Sequence, residues 1–409
     1  MPTEARIIAG VAGAAAVLLQ ATGALKSVPL LAALPFDLTA VLAAVAAPTL
    51  LGLLLVRDWR IAPATLPGLA AFCLLLVWAV IAAAWSTAAE GGAAKLRDAV
   101  LLGPPMLLAG LLVGADATAR RGAAVAMLAA GPVIGVAVAR GLAAGEVVLG
   151  GPAGAELARV QYQHAGLAMA VAAGLAALAA VQMHGLRRVC ALALVPALAV
   201  LALLPGGRTA LLALAVSVAV VPMLALIRAA RPGASLLPPA LVALAGGIGL
   251  AVLLARPDLA DGLRTAERLI AGDVGETSLR LPLWRAALDL AGQAGPLGLG
   301  TGGFPVAAGF GDWRGRYPHS HALEALAELG LPGLLLWAGA WGGGLLPALR
   351  RWPELTPGRV GTIAALALPT LVTIMVSTDL GNRTAWFALG LLLSLGVEAR
   401  PLRRAAAMA

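Results

Sequence analysis

Apolar runs of about 17–22 residues recur from one end of this sequence to the other, and a helix of that length matches the core of a bilayer. A segment lying in lipid must satisfy its own backbone polar groups, so each run is expected to be a helix. Composition agrees. The chain of 409 residues is 61% hydrophobic and 12% charged, with a mean hydropathy of +0.93, which excludes an ordinary soluble domain. Twelve spans are expected, at roughly 7–25, 38–56, 64–84, 99–115, 122–139, 164–182, 189–205, 209–227, 236–255, 320–346, 359–377 and 384–397. The fold class is therefore an all-α polytopic membrane protein with about 12 transmembrane helices. The first span lacks a basic leader and is read as a retained helix, not a cleaved signal. The two cysteines, Cys73 and Cys190, both fall inside apolar spans, so neither a disulfide framework nor a zinc site is on offer.

Charge sets the orientation. The connections after the even-numbered spans, together with the two ends, carry Arg6, Arg57, Arg60, Arg120, Arg121, Arg187, Arg188, Arg228, Arg231, Arg350, Arg351, Arg359, Arg400, Arg403 and Arg404. That is fifteen of the 29 basic residues, and seven of the other fourteen sit in one long connection. Orientation bias is counted over short connections only, which leaves fifteen against seven and places both termini in the cytoplasm. The net charge of +9 suits anionic lipid or an anionic substrate. It does not suit nucleic acid, because the arginines are dispersed over separate membrane loops.

The long connection is the feature that needs a function. It divides the chain into residues 1–255 with nine spans, an external loop at 256–319, and residues 320–409 with three spans and a short tail. The loop holds Arg256, Arg264, Arg268, Arg280, Arg285, Arg314 and Arg316, and two of the four histidines, His319 and His321, stand at or just past its end. Cations and imidazoles gathered at one membrane face point to an anion handled there. Within the loop, 259–270 has the pattern of an amphipathic helix with Arg264 and Arg268 off its apolar face. A second helix is expected over about 278–292, with Arg280 and Trp284 on one face and Arg285 turned away. GPLGLGTGGFP is too glycine-rich for a helix. It reads as a flexible connection, or as a source of backbone N–H groups for an anion. Pro318 then fixes the chain before His319, which is placed at the N-terminus of span ten, where the helix dipole favours a neutral imidazole fit for general-base work.

Other polar residues are less telling. The segment STAAEGGAAKLRD, with Lys95 and Arg97, reads as a solvated loop. His164 reads as a capping or interfacial residue at the beginning of a helix ahead of a catalyst, and Asp379 with Arg383 as a local ion pair ahead of a pathway pair. Arg208, in LLPGGRTALLALAV, is either an interfacial anchor or a ligand-binding cation at the start of span eight.

Taken in order, GGRTALLAL, SLRLPLWRAALDLAGQAGPLGLGTGGF and HSHALEALAELGLPG resemble the O-antigen ligase/polymerase superfamily. The pattern is an arginine before Ser, Thr or Gly at the start of a span, Arg-x-x-x-Trp in a long periplasmic loop, a Gly-x-Gly run, and a histidine followed by Glu nine and Gly eleven and fourteen residues later. His319, with Glu328, Gly330 and Gly333, meets that last spacing, and Ser320 stands where the family usually has asparagine. The resemblance implies a membrane-embedded glycosyltransferase. Its donor is a glycan on undecaprenyl pyrophosphate and its acceptor a sugar hydroxyl, here of lipid A-core, at the periplasmic face of the bacterial inner membrane. It implies Arg208 and Arg280 on the pyrophosphate and His319 as base, with Arg285, His321 and Trp284 in support, and no metal or other cofactor. Repeat-unit polymerase and protein O-oligosaccharyltransferase share that donor. A secondary transporter or lipid flippase is the reading from another class, and would place ionisable residues along a route through the midplane.

The orientation is testable by reporter fusion. A phosphatase reporter joined after residue 300 should be active outside the cytoplasm, and one joined after residue 355 should be silent there. The opposite pattern removes the external site.

Overall fold

The computed structural model describes residues 3–149, 158–160, 162–205, 207–260, 263, 265, 267 and 280–402. The expected amphipathic helix at 259–270 falls mostly outside them, as do Arg264, Arg268, Arg403 and Arg404. In chain order the main helices are α1 (Thr3–Gln20), α2 (Leu38–Leu55), α3 (Leu66–Ala82), α4 (Glu90–Ala115), α5 (Ala117–Ala143), α6 (Tyr162–Gln182), α7 (Gly185–Leu203), α8 (Arg208–Arg228), α9 (Leu237–Ala255), α10 (Arg280–Ala294), α11 (His321–Arg350), α12 (Pro357–Val376) and α13 (Arg383–Leu393). Among the described residues, eleven helical stretches are long and apolar enough to cross a membrane. The chain is an all-α polytopic membrane protein.

The expected twelfth span is α13, and it is short. Its 11 residues cover about 16 Å, roughly half a bilayer core. From Ala385 to Leu393 it is buried without interruption, chiefly by α4 and α12. Its apolar surface serves a protein interior, which composition cannot distinguish from lipid exposure. The contact with α4 is made by small residues. A methyl group at Gly390 would stand 2.0 Å from the Leu107 carbonyl oxygen, and one at Gly110 would stand 2.1 Å from that of Phe387. The two backbones touch where side chains are absent, the usual means of helix approach in lipid.

The helices alternate between two ends. One end carries the long connection and is called the loop end below. At the other end, Arg57–Ile61 pairs antiparallel with Val397–Pro401, fastening the connection after α2 to the segment after α13. Arg57 is buried there and donates to Asp116 at 2.7 Å, while Asp116 also caps α5 by accepting from Thr118 and Ala119. An arginine that counts toward orientation in the sequence is thus also an internal strut.

Helix α11 is not continuous. Gly330 has φ 66° and ψ −163°, which splits it into a short stretch, His321–Leu329, and a longer one running to Arg350. A break releases carbonyl groups from the helical ladder, and these need new donors. The glycine-rich strand of the loop supplies them. Leu299 donates to Ala327 and Gly300 to Glu328, both at 2.9 Å, and Leu331 donates back to Pro296 at 2.9 Å. Trp78 of α3 takes the Leu329 carbonyl at 2.8 Å. Only glycine fits opposite the break. A Cβ on Gly298, itself at φ 74°, would meet the Gly330 nitrogen at 2.5 Å.

Candidate active site

The glycine-rich run is neither a flexible connection nor an anion cradle. Besides the bonds to α11, Gly302 N donates to Glu328 Oε2 at 2.7 Å and Gly303 N to the Gly300 carbonyl at 3.0 Å. Thr301 anchors to α3 through Oγ1 on the Ala79 carbonyl at 2.6 Å. Its donors are committed to holding the loop against the broken helix.

Beneath it lies a buried charge cluster. Lys95 Nζ bonds to both oxygens of Glu328, at 2.7 and 2.8 Å, and to Glu324 Oε1. Glu324 Oε2 accepts from the Leu380 backbone at 2.9 Å. All three side chains are buried. The solvated loop expected around Lys95 is therefore the first part of α4, which begins at Glu90. A lysine can leave water when carboxylates replace its hydration, and nothing local in the sequence marks that its partners lie more than two hundred residues away. One signal was legible. Glu324 and Glu328 are four apart on an apolar helix and so share a face that must meet a cation.

His319 stands just outside α11, not on it. The helix begins at His321 with Ser320 as N-cap, and His319 takes the left-handed backbone at φ 55°. Its ring lies tilted against Tyr317 at 4.1 Å between centroids, and its Nδ1 is buried with no partner among the described residues. Burial holds its pKa below the ordinary 6.5, helped by the Arg280 charge and then Arg316, while the Ser377 carbonyl and Asp379 pull the other way. The imidazole is held neutral as expected, but by burial and a neighbouring guanidinium in place of a helix dipole. Tyr317 is raised above its ordinary value by burial and by Asp379, so it stays protonated and donates to the Ser377 carbonyl at 3.1 Å.

The remaining expected residues separate. Arg280 opens α10 and lies within electrostatic reach of His319. Trp284 follows one turn later, half-buried, its Nε1 without a partner among the described residues, while Leu283 and Ala287 pack on Phe304 and Ala327. Arg285 is exposed. His321 is fully buried, its Nε2 3.0 Å from Thr378 Oγ1 and its ring 6.2 Å from Trp386, so it braces the 377–382 turn from inside. Arg208 heads α8, whose first turn meets that of α6 with Ala210 against Gly166. Asp379 and Arg383 are not the expected pair. Asp379 faces Arg314 at 3.4 Å, and Arg383 donates to the Leu19 carbonyl and Thr22 Oγ1.

Residues 191–338, from α7 into α11, match a family model described as O-antigen ligase. That stretch, about a third of the chain, is similar to the O-antigen ligase family. It includes Arg208, Arg280, Trp284, Arg285, His319 and His321, and it indicates function of the O-antigen ligase or polymerase type. No curated protein matches the chain. Lys95 lies outside the O-antigen ligase stretch, although both carboxylates it binds lie inside.

That arrangement makes Lys95 the more sensitive of two neighbouring cations. Lys95→Met should lower stability by about 3–5 kcal/mol, because it leaves two carboxylates buried without a cation. Arg97→Met, at an exposed position paired only loosely with Asp98 at 3.6 Å, should change little. Thermal unfolding in detergent compares them, and equal midpoints would mean that the cluster does not hold the loop.

Proposed function

We propose that this protein transfers a glycan from undecaprenyl pyrophosphate to a sugar hydroxyl of lipid A-core, at the periplasmic face of the bacterial inner membrane. The observation that carries the reading is His319 held neutral beside the Arg280 guanidinium, within the stretch that matches O-antigen ligase. Neutral imidazole accepts a proton, and guanidinium binds phosphate oxygens in a bidentate fork. The acceptor oxygen attacks the anomeric carbon as its proton passes to His319. The bond from that carbon to the pyrophosphate oxygen breaks, and the lipid pyrophosphate leaves with its charge met by Arg280 and Arg208. Arg285 and Trp284 on α10 and His321 behind the turn act in support. No divalent cation is needed to carry the counter-charge, and turnover should survive a chelator.

Two experiments separate the parts. Incubation of purified protein with lipid-linked glycan should give product on core lipid, whereas elongation of the lipid-linked glycan itself would identify a polymerase. Arg208→Lys and Arg280→Lys should each lose most turnover, since a point charge cannot reproduce the fork, while Arg285→Lys should be mild. Equal losses in all three would describe a diffuse cationic surface.

The base carries a pH signature. His319→Ala should lower turnover by about 10²–10⁴-fold with donor binding retained. The neutral ring is the active form, so a lowered pKa preserves activity until the pH falls through that lowered value. The acid limb of kcat/KM should therefore lie below about pH 6.5. Removing the neighbouring charge in Arg280→Gln should move the residual activity's limb upward. An unmoved limb, or an active His319→Asn, places the base elsewhere.

A further inference from the structure

A second polar space lies at the loop end, lined in part by the turn whose Leu380 backbone Glu324 holds. It is a cavity of about 370 Å³ walled by the ends of α1, α4, α6 and α13. Four of its lining residues are cationic or imidazole, Lys26, His164, Arg314 and Arg383, and two are carboxylates, Asp98 and Asp379. The mechanism above uses none of them except Asp379, which also belongs to the surroundings of His319.

The charges are not equivalent. Arg314 is bound to Asp98 at 2.6 Å and faces Asp379 at 3.4 Å, and Lys26 pairs with Asp37 at 2.8 Å. Arg383 is half-buried, and among the described residues no carboxylate lies within ion-pair distance of it. Both of its bonds, to the Leu19 carbonyl and to Thr22 Oγ1, are made through Nη2. Nε and Nη1 therefore remain as a charged edge with no bond to the described residues. A guanidinium withdrawn from water without a counter-ion is costly, and an arriving anion removes the cost. The carboxylates say what else the ligand must carry. Each has lone pairs beyond those Arg314 uses, suited to hydroxyl donors, and each repels a multiply charged diphosphate.

We infer that this cavity binds an anionic sugar, a pyranose bearing one phosphate or carboxylate, with its hydroxyls on Asp98 and Asp379 and its anionic group on Arg383. Assigning that sugar to the acceptor rests on the transferase reading given above. The binding site itself does not depend on that reading.

Isothermal titration of the purified full chain in detergent, with glucose 6-phosphate as probe, tests it. Glucose 6-phosphate should bind, with glucose and inorganic phosphate each at least about tenfold weaker, since each lacks half of the recognition. Arg383→Gln should weaken the probe by about tenfold or more, as expected for a lost charge-assisted bond. Lys26→Gln, at a more exposed place on the cavity wall where it adds to the positive field, should weaken it less than Arg383→Gln does. Arg280→Gln should bind it normally. Size-exclusion profiles confirm that the variants are folded. Phosphate binding as tightly as the sugar phosphate would reduce the cavity to a simple anion site. Displacement of the probe by phosphatidylglycerol would make it a lipid-headgroup site, and an unchanged affinity in both Arg383→Gln and Lys26→Gln would remove it altogether. Sugar phosphate binding without glycan transfer would overturn the transferase reading and leave the cavity standing. Transfer without sugar phosphate binding would do the reverse.

Discussion

The break at Gly330 is the constraint on which the loop end depends. A helix running unbroken from His321 to Arg350 would satisfy its own carbonyls and offer the external segment nothing to hold. With the break, the carbonyls of Ala327, Glu328 and Leu329 turn outward and are taken by Leu299, Gly300 and Trp78. The same half-helix aims Glu324 and Glu328 at Lys95, and Glu328 also receives Gly302. One irregular residue thus joins α3, α4, α11 and the glycine-rich strand. The adjoining residues, Pro318 to Ser320, deliver His319 from that fixed frame.

Much of this was legible, and the legible part has a common cause. Long apolar runs report helices because lipid leaves the backbone no alternative, and the spans appear close to where they were expected. Arg280, Trp284 and the histidine pair stood out because polar residues in a water-facing loop of an apolar protein have few structural duties. What stayed hidden is whatever depends on a distant partner. Lys95 looked solvated because sequence shows a charge but not the two carboxylates that enclose it. The run GPLGLGTGGF looked mobile because its hydrogen-bond partners are carbonyls freed by a glycine some thirty residues on. The short α13 looked like a span because an apolar helix reads the same whether lipid or protein surrounds it.

The charges at the loop end fall into two groups. Those that support the frame are closed on themselves. Lys95 is saturated by Glu324 and Glu328, and Arg314 is engaged by Asp98 and Asp379. Such groups hold position whatever is bound, because their counter-charges are part of the protein. Arg383 is of the other kind, meeting only neutral oxygens among the described residues. Here the protein leaves to a ligand the compensation it supplies elsewhere.

His319 shows why both kinds must lie together. A base is useful only if it is neutral before the reaction and tolerates a proton during it. Burial and Arg280 secure the first condition, and the Ser377 carbonyl and Asp379, which favour the protonated ring, secure the second. Asp379 sits on a turn that Glu324 grips through the Leu380 backbone and that His321 braces through Thr378. The buried carboxylate Glu324 thus fixes the turn that carries Asp379.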